Sequence, residues 1–376
     1  MHKISRIGAA LIIPLLLPAC ADQRILEELG TVHTTSYDLL PEEEGKSSKE
    51  LLITMTIPKN DPENRKVREE ILTTTSINSK GGRIRLSRKT ELSLVSGQLR
   101  NVLFGSRLAK EGIWPLMDTF QRDPSISQRL KITVVDGSAH DLVTEKYPPH
   151  PMTGPYIERM LEKQEKSKMS AEATLYDFTR DYYDDGIDPI APIVKKQGGN
   201  VVMEGIALFN EDRYMTKIPA DEVLIFGFLQ GDFRQGELSM DFGESANKEA
   251  NNAMFTSLIS KRKIKVFANR SRDDITVNVS VQIKGSVLEY NGKMDLSIDQ
   301  DRRKLERLIS EQITDKANDM ISKMQKNNVD SLGLGQYVRN SMSYGRWKKL
   351  NWEEVYPHVR VHCKATMVIK DYGKFK

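Results

Sequence analysis

The hydrophobic pattern is most regular between residues 275 and 326. Apolar and polar residues alternate along ITVNVSVQI at 275–283, which is typical of a strand in a sheet with one buried and one wet face. Residues 299–326 then carry apolar side chains at helical spacing, with charges on the opposite side. The apolar stripe is wider than two positions per heptad, so we expect it to lie on the adjacent sheet rather than in a coiled coil.

The rest of the chain mixes strand-like and helical segments. Residues 31–37 and 51–57 predict two strands that form a hairpin around a polar loop at 41–49, and residues 83–103 predict a short helix followed by a strand. The patterns predict further strands at 70–78, 130–135, 201–209, 237–241, 255–266 and 358–369. They predict further helices at 108–120, 154–168, 171–183 and 220–228, and a helical stretch after residue 331.

The length and composition are those of a globular chain with a real core. The sequence has 376 residues, of which 39% are hydrophobic and 29% charged, so the length allows two or three domains. A cluster of Pro189, Pro192, Gly198 and Gly199 predicts a domain boundary there.

The first twenty residues predict an export signal that ends in a lipid anchor. Lys3 and Arg6 precede an apolar run at 7–17, which is too short to span a bilayer and is typical of a signal peptide. Small Ala19 comes directly before Cys20, and this ending resembles a bacterial lipobox, in which the cysteine thiol is acylated and becomes the first mature residue. Two acyl chains hold a protein stably on a membrane. The alternative is an ordinary signal peptide with an incidental cysteine.

Charge and cysteine content narrow the function further. The formal net charge is +4, and loss of Lys3 and Arg6 with the signal leaves +2, too little to indicate a nucleic-acid partner. The chain has two cysteines. If Cys20 is acylated, Cys363 has no intramolecular partner, and we expect it to be a small core residue.

Several polar and glycine residues are candidates for sites of chemistry. His358 and His362 stand about 13 Å apart along a strand, too far to share a metal, so we interpret them as surface residues. Gly333 and Gly335 lack the lysine of a phosphate-binding loop, and Gly333 predicts a turn between helices. No hydrolase motif is present in the sequence.

An acidic run is the one candidate for a metal site. It contains Asp181, Asp184, Asp185 and Asp188 around Gly186, but its spacing lacks the alternating ligands of a calcium loop. The alternative is the solvated end of a helix. We expect no metal, no cofactor and no catalytic residue.

Two kinds of surface are candidates for contact with a partner or with the membrane. Basic residues cluster at Arg83, Arg85 and Arg88, with Lys80 and Lys89, and again at 261–265; each group could face anionic lipid or an acidic protein, or could be an ordinary solvated face. Trp347, Trp352 and Tyr356 form an aromatic cluster, which is either core packing or an exposed docking patch.

Four blocks of sequence, together with the lipobox and the short charged segment after it, resemble the C subunit of spore germinant receptors, the GerAC type. The blocks come in family order and cover nearly the whole mature chain: LAKEGIWPLMDTFQRDPSI (108–126), TLYDFTRDYYDDGIDPIAPIV (174–194), MEGIALFNEDRYMTKI (203–218) and VDSLGLGQYVRNSMSYGRWKKLNWEEVYPHVRV (329–361).

The resemblance implies an α+β protein of three small mixed domains, with antiparallel and mixed sheets packed against helices. With the signal peptide at 1–19, we place these domains at 20–195, 196–268 and 269–376. The resemblance also implies a noncatalytic subunit on the outer face of the spore inner membrane. There it would be held by acylated Cys20 beside membrane-embedded A and B subunits, in a complex that responds to nutrients. The alternative is a lipoprotein that itself captures a small nutrient, which predicts a deep cleft between two lobes.

Overall fold

The computed structural model describes residues 28–40, 50–61, 66–244, 250–268 and 275–372. The predicted signal peptide, Cys20 and the loop at 41–49 lie outside these ranges. Within them, none of the helices is both long enough and apolar enough to cross a membrane.

The strands within the described ranges are numbered in chain order. They are β1 (Leu29–Thr31), β2 (Thr34–Leu39), β3 (Leu51–Asp61), β4 (Lys66–Ser76), β5 (Ser93–Val95), β6 (Asn101–Gly105), β7 (Lys131–Val135), β8 (Ile190–Gln197), β9 (Asn200–Asn210), β10 (Arg213–Pro219), β11 (Phe233–Arg234), β12 (Leu238–Glu244), β13 (Ala250–Ala268), β14 (Ile275–Asn291) and β15 (Arg360–Asp371).

The α-helices are numbered separately, and two short 3-10 turns at Ala220–Glu222 and Tyr356–His358 accompany them. They are α1 (Ser79–Ser87), α2 (Ser106–Glu111), α3 (Trp114–Gln121), α4 (Ala139–Thr144), α5 (Thr153–Lys166), α6 (Leu175–Tyr183), α7 (Val223–Gln230), α8 (Asp299–Lys326), α9 (Leu334–Asn340), α10 (Tyr344–Leu350) and α11 (Trp352–Val355).

A mixed eight-stranded sheet organises residues 28–219, which we call the N-terminal half. Its strand order is β10-β9-β8-β7-β6-β2-β3-β4, and the central strands β2, β6, β7 and β8 run parallel. Successive residues of β6 enter different cores, because Phe104 packs in one apolar cluster and Leu103 in another. Both faces of the sheet are therefore covered, as parallel strands require.

A five-stranded sheet organises residues 223–372, which we call the C-terminal half. Its order is β11-β13-β14-β15, with β12 also paired to β13. Helix α8 covers one face of this sheet, and its buried residues Leu305, Ile309 and Ile313 share an apolar cluster with Val277, Val279 and other inward side chains of β14.

The structure confirms the predictions that rest on a clear period. Helix α8 has the predicted bounds, the inward positions of β14 are buried, and β2 pairs with β3 as an antiparallel hairpin. The prediction of a single helix at 108–120 was wrong. Two helices, α2 and α3, cover this range, and they are separated where Gly112 adopts a φ of +117°, a backbone conformation that favours glycine.

The sheets run across both predicted domain boundaries. The boundary between 195 and 196 falls inside β8, which is hydrogen-bonded to β7 and β9. The boundary between 268 and 269 falls between β13 and β14, which pair along most of their length. A division at these points would separate strands that share backbone hydrogen bonds.

The sequence pattern did not predict strands β8 and β10.

Candidate functional site

The acidic run forms a polar contact between the two halves, and it starts at the end of α6. A capping box fixes the start of this helix, because the Asp177 amide donates to Thr174 Oγ1 at 3.2 Å while the Thr174 amide donates to Asp177 Oδ2 at 3.3 Å. Near its end, the ring of Tyr182 stacks on Trp114 with centroids 3.7 Å apart. The chain then leaves the helix towards the C-terminal half as residues 184–188. We call the contact between 184–188 and 330–352 the junction.

The outer part of the junction is a network of ion pairs. Arg339 donates to Asp184 Oδ1 at 2.8 Å and to Asp185 Oδ1 at 2.6 Å. Asp185 Oδ2 also accepts from Trp347 Nε1 at 2.9 Å and from Lys348 Nζ at 3.0 Å. Burial alone would raise the pKa of Asp185, but these hydrogen bonds from Trp347, Lys348 and Arg339 bring it below its ordinary value.

The inner part of the junction holds two carboxylates, the buried Asp330 and the partly buried Asp188. Asp188 Oδ2 accepts from the Asp330 amide at 2.6 Å, and the Asp188 amide donates to the Asp330 carbonyl at 3.1 Å. Asp330 in turn accepts from the amides of Leu334 and Gly335 and from Trp352 Nε1, at 2.9, 2.7 and 3.0 Å. Burial raises the pKa of Asp188 to about 6 and that of Asp330 well above its usual value.

Two glycines allow the backbones to meet at the junction. The Gln336 amide donates to the Gly186 carbonyl at 3.0 Å. A Cβ on Gly186 would lie 2.7 Å from that amide nitrogen, and one on Gly335 would lie 2.8 Å from the Gly186 Cα. Gly333 has a φ of +66° and precedes α9, which confirms the turn predicted there.

The geometry contradicts both interpretations of the acidic run. The helix end is not simply solvated, because Asp184, Asp185 and Asp188 bind groups of the C-terminal half. It does not have the chemistry of a calcium loop either, since N–H donors and cations already engage these oxygens and Asp181 pairs with Arg180 at 2.8 Å. No group of acidic, His or Cys residues that could hold a metal occurs in the described part of the chain.

Two cavities lie beside residues 187 and 188. One, of about 370 Å³, lies between α6, α7 and Ser331, and its polar lining includes Asp177, Arg180 and Gln230. The other, of about 300 Å³, has Tyr183, Asn210 and Glu353 in its wall. The charged groups Asp177 and Arg180 already pair with each other at 3.1 Å.

The structure buries the aromatic cluster. Trp347, Trp352 and Tyr356 are 4%, 9% and 1% exposed, and the ring centroids of both neighbouring pairs are 5.6 Å apart. Of the two interpretations of this cluster, core packing is therefore confirmed and the exposed docking patch is wrong, because the three rings pack in the C-terminal core. Cys363 is buried as expected, and burial raises its pKa to about 11.

The predicted basic contact residues lie on or beside α1, but they are not equivalent. Arg83 donates to Ser96 Oγ and to the Leu94 carbonyl at 2.9 and 2.6 Å. Arg85 donates to the Thr75 carbonyl at 2.8 Å, whereas Arg88 is exposed just after the helix. Arg83 therefore holds α1 on β5, and Arg88 remains suited to outside contact.

Sequence reasoning missed Asp330 and Arg339 as parts of this site. Asp330 accepts from the Leu334 and Gly335 amides at the start of α9. An acidic residue shortly before a helix is favourable there, and this was the available signal. Arg339 had no local signal, since its partners are 154 and 155 residues away.

Comparisons with known proteins find similar proteins for most of the chain. The family model for the spore germination protein N-terminal domain matches residues 22–196, and the "Spore germination B3/ GerAC like, C-terminal" model matches residues 204–373. Spore germination protein GerQC of Bacillus cereus is 24% identical over 96% of this chain and 97% of its own length. Putative spore germination protein YfkR of Bacillus subtilis (strain 168) is 22% identical over 73% of this chain and 71% of its own.

A solved structure shares the fold. The crystal structure of the GerBC protein has a TM-score of 0.58, with 17% sequence identity over 87% of this chain and 96% of that chain. Both the N-terminal and the C-terminal family models thus define a spore germination protein of mixed α+β architecture. The chain belongs to the family of GerAC-type germinant receptor C subunits.

Proposed function

We propose that this chain is a lipid-anchored, noncatalytic subunit of a nutrient germinant receptor in the spore inner membrane. The observation that carries the proposal is the match of both family domains, in order, over residues 22–196 and 204–373. The buried junction adds support, because its charged groups bind each other and hold the two halves together. We therefore assign them a structural role.

The proposed anchor is the acylated Cys20. A membrane-confined protein needs only modest contacts with its neighbours, because confinement raises the effective concentration of both. The proposed neighbours are the membrane-embedded A and B subunits, on the outer face of the membrane.

The exposed side of α1 is suited to anionic lipid headgroups. Lys80, Ile84 and Arg88 follow one another at intervals of four residues and are all exposed, so they share one side of the helical segment. Residues 77–89 contain five basic residues and no acidic ones. Ile77 and Ile84, at 78% and 57% exposed, add apolar contact area to this charge.

The start of the described chain lies beside this helix. Leu29 pairs with Ser93 in β5, the strand that Arg83 of α1 binds through the Leu94 carbonyl. Leu29 is nine positions after Cys20, and an extended segment of that length reaches roughly 30 Å at most. The proposed anchor and the basic side of α1 can therefore meet the same membrane.

Mass spectrometry of the mature N-terminus tests the anchor. We expect a diacylated Cys20 as the first residue of protein purified from spores. An unmodified Cys20, or cleavage elsewhere, would show that the signal is an ordinary secretory one.

Direct capture of a nutrient is a second candidate function, and the cavity of about 370 Å³ between α6 and α7 favours it. Its volume is near the lower end of that of small-molecule sites. Thermal melting of the purified chain with a panel of amino acids and sugars separates the two functions. A ligand that raises the melting temperature would support capture, whereas we expect no shift for the receptor subunit.

A further inference from the structure

One face of the five-stranded sheet is uncovered and strongly basic. Helix α8 and the core occupy the other face, while the alternate side chains of β13, β14 and β15 point outward. We call these outward side chains the open face. Their register gives five cross-strand rows: Arg234–Ile259–Lys284–Val368, Lys261–Gln282–Thr366, Lys263–Ser280–Lys364, Lys265–Asn278–His362 and Phe267–Thr276–Arg360.

The charge of the open face has a single sign. Among these outward positions, all of them in the described part of the chain, none is Asp or Glu and seven are basic: Arg234, Lys261, Lys263, Lys265, Lys284, Arg360 and Lys364. Basic residues on one face of a sheet repel each other over short distances. A bound acidic surface would offset this repulsion.

The middle strand β14 lies between the basic residues of β13 and those of β15. In the third row, Ser280 separates Lys263 from Lys364, so the two lysines stand two strand spacings apart, about 10 Å. Asn278 and Gln282 hold the neighbouring middle positions. The face therefore presents two basic columns with hydrogen-bonding side chains between them.

The basic residues at 261–265 point alternately to the two faces of the sheet. Lys261, Lys263 and Lys265 are exposed, whereas Arg262 points inward and donates to the Leu229 carbonyl at 2.7 Å and to Tyr337 Oη at 2.8 Å. Asp232, at the rim beside β11, accepts from the Arg262 backbone amide at 3.0 Å. The outward lysines thus remain available for a partner, and Arg262 belongs to the core.

Apolar side chains lie at both ends of the open face. Ile259 and Val368 flank Lys284 in the first row and are 38% and 46% exposed, and Phe267 in the last row is 57% exposed. Exposed apolar groups beside complementary charge are typical of protein interfaces.

We propose that the open face docks on an acidic surface of a partner protein. The polar side chains of Asn278, Ser280 and Gln282 favour a protein partner over a bilayer. A protein surface can place fixed hydrogen-bond donors and acceptors opposite them, whereas mobile lipid headgroups bind mainly through their charge. The inference rests on the proposed function for the partner's identity, which is a membrane-embedded subunit of the receptor.

The open face lies in the half of the molecule that does not contain α1. The described chain begins beside β3, where the His33 amide donates to the Thr56 carbonyl at 3.0 Å. The C-terminal half contacts the opposite edge of the eight-stranded sheet, where Lys323 Nζ donates to the Lys217 carbonyl in β10 at 2.6 Å. The open face and the proposed membrane-facing helix α1 therefore belong to different halves of the molecule, so that one can contact a protein while the other contacts lipid.

Copurification of the A and B subunits with the tagged full chain from spore membranes tests the proposal. The variant is Lys263→Glu with Lys364→Glu, and the control is Lys110→Glu with Lys163→Glu, which changes the charge equally at exposed lysines of the N-terminal half. We expect the variant to recover about tenfold less of both subunits and the control to match the wild type. Equal melting temperatures would show that all three chains are folded.

The other outcomes distinguish the failures. If wild type, variant and control recover equal amounts of both subunits, the docking face is wrong while the proposed function stands. If the wild type recovers neither subunit, the proposed function fails and this assignment fails with it. If the variant keeps the subunits but loses binding to phosphatidylglycerol vesicles, the open face contacts lipid, and the proposal of an acidic protein partner is overturned.

Discussion

The junction depends on two residues that have no side chain. Gly186 and Gly335 lie so close that the Gln336 amide reaches the Gly186 carbonyl. The same approach lets the Asp330 carboxylate accept from the Gly335 amide and from Trp352 Nε1. The two halves meet here because neither Gly186 nor Gly335 has a side chain that would keep the two backbones apart.

We expect Gly335→Ala to destabilise the protein. The new Cβ would lie 2.5 Å from Trp352 Nε1 and 2.8 Å from the Gly186 Cα, and such overpacking costs about 1–3 kcal/mol. Gly345→Ala is the control, because it lies within α10 with no atom within 4 Å of the added Cβ. Chemical denaturation should show a lower free energy of unfolding for the first variant only, and equal effects would contradict the close contact.

The two inner carboxylates of the junction predict that mild acid stabilises the fold. Burial raises the pKa of Asp188 to about 6, from about 3.9 for an unfolded chain. Between these values the folded state binds more protons than the unfolded state, so the free energy of unfolding rises as the pH falls from about 7 towards 4. The pKa of Asp330 is raised too and acts in the same direction.

Urea unfolding at about pH 7 and about pH 5 measures this effect. We expect the wild type to gain stability at the lower pH and Asp188→Asn to gain less, because the variant no longer takes up that proton. An identical gain in both proteins would mean that Asp188 does not titrate in this range.

At the scale of elements, α8 seals the free edge of β15. Four side chains at intervals of four residues engage alternate strand amides: Asn318 binds Cys363, Thr314 binds Ala365, Ser310 binds Met367 and Glu306 binds Ile369, at 2.8–3.0 Å. Four helical residues rise about 6 Å and two strand residues about 6.6 Å. The two spacings match, so the helix satisfies an edge that could otherwise pair with another chain.

We expect Thr314→Val to lower the free energy of unfolding by about 1–3 kcal/mol, because the backbone amide of Ala365 then loses its hydrogen-bond acceptor. Asp319→Ala, at an exposed position of the same helix, is the control and should change stability little. Denaturant titration of both variants tests this. Unchanged stability of Thr314→Val would mean that water replaces the hydroxyl.

The sequence predicts α8 and β14 well because a single period dominates each of them. The ladder of α8 could not be predicted, since Glu306, Ser310, Thr314 and Asn318 have the pattern of a solvated helix face until the strand beside them is known. Strand β8 was missed because Pro192 and the Gly198–Gly199 pair indicate a boundary, whereas Pro192 lies near the start of a strand, where proline is tolerated.

At the scale of the whole molecule, the sequence located half of the candidate site. The acidic run was visible, but its partners Asp330 and Arg339 come from more than 140 residues further along the chain. Only the fold brings these segments together. The same holds for the open face, since two strands far apart in the sequence, β13 and β15, contribute its two basic columns.

The central claim is that location on the membrane, together with assembly there, is the function of this folded body. The most direct measurement is the amount of the A and B subunits that copurify from spore membranes with the wild-type chain and with Cys20→Ala. We expect the wild type to recover both subunits and the variant, which lacks the proposed acylation site, to recover far less of either. Equal recovery would contradict the claim that the anchor drives assembly.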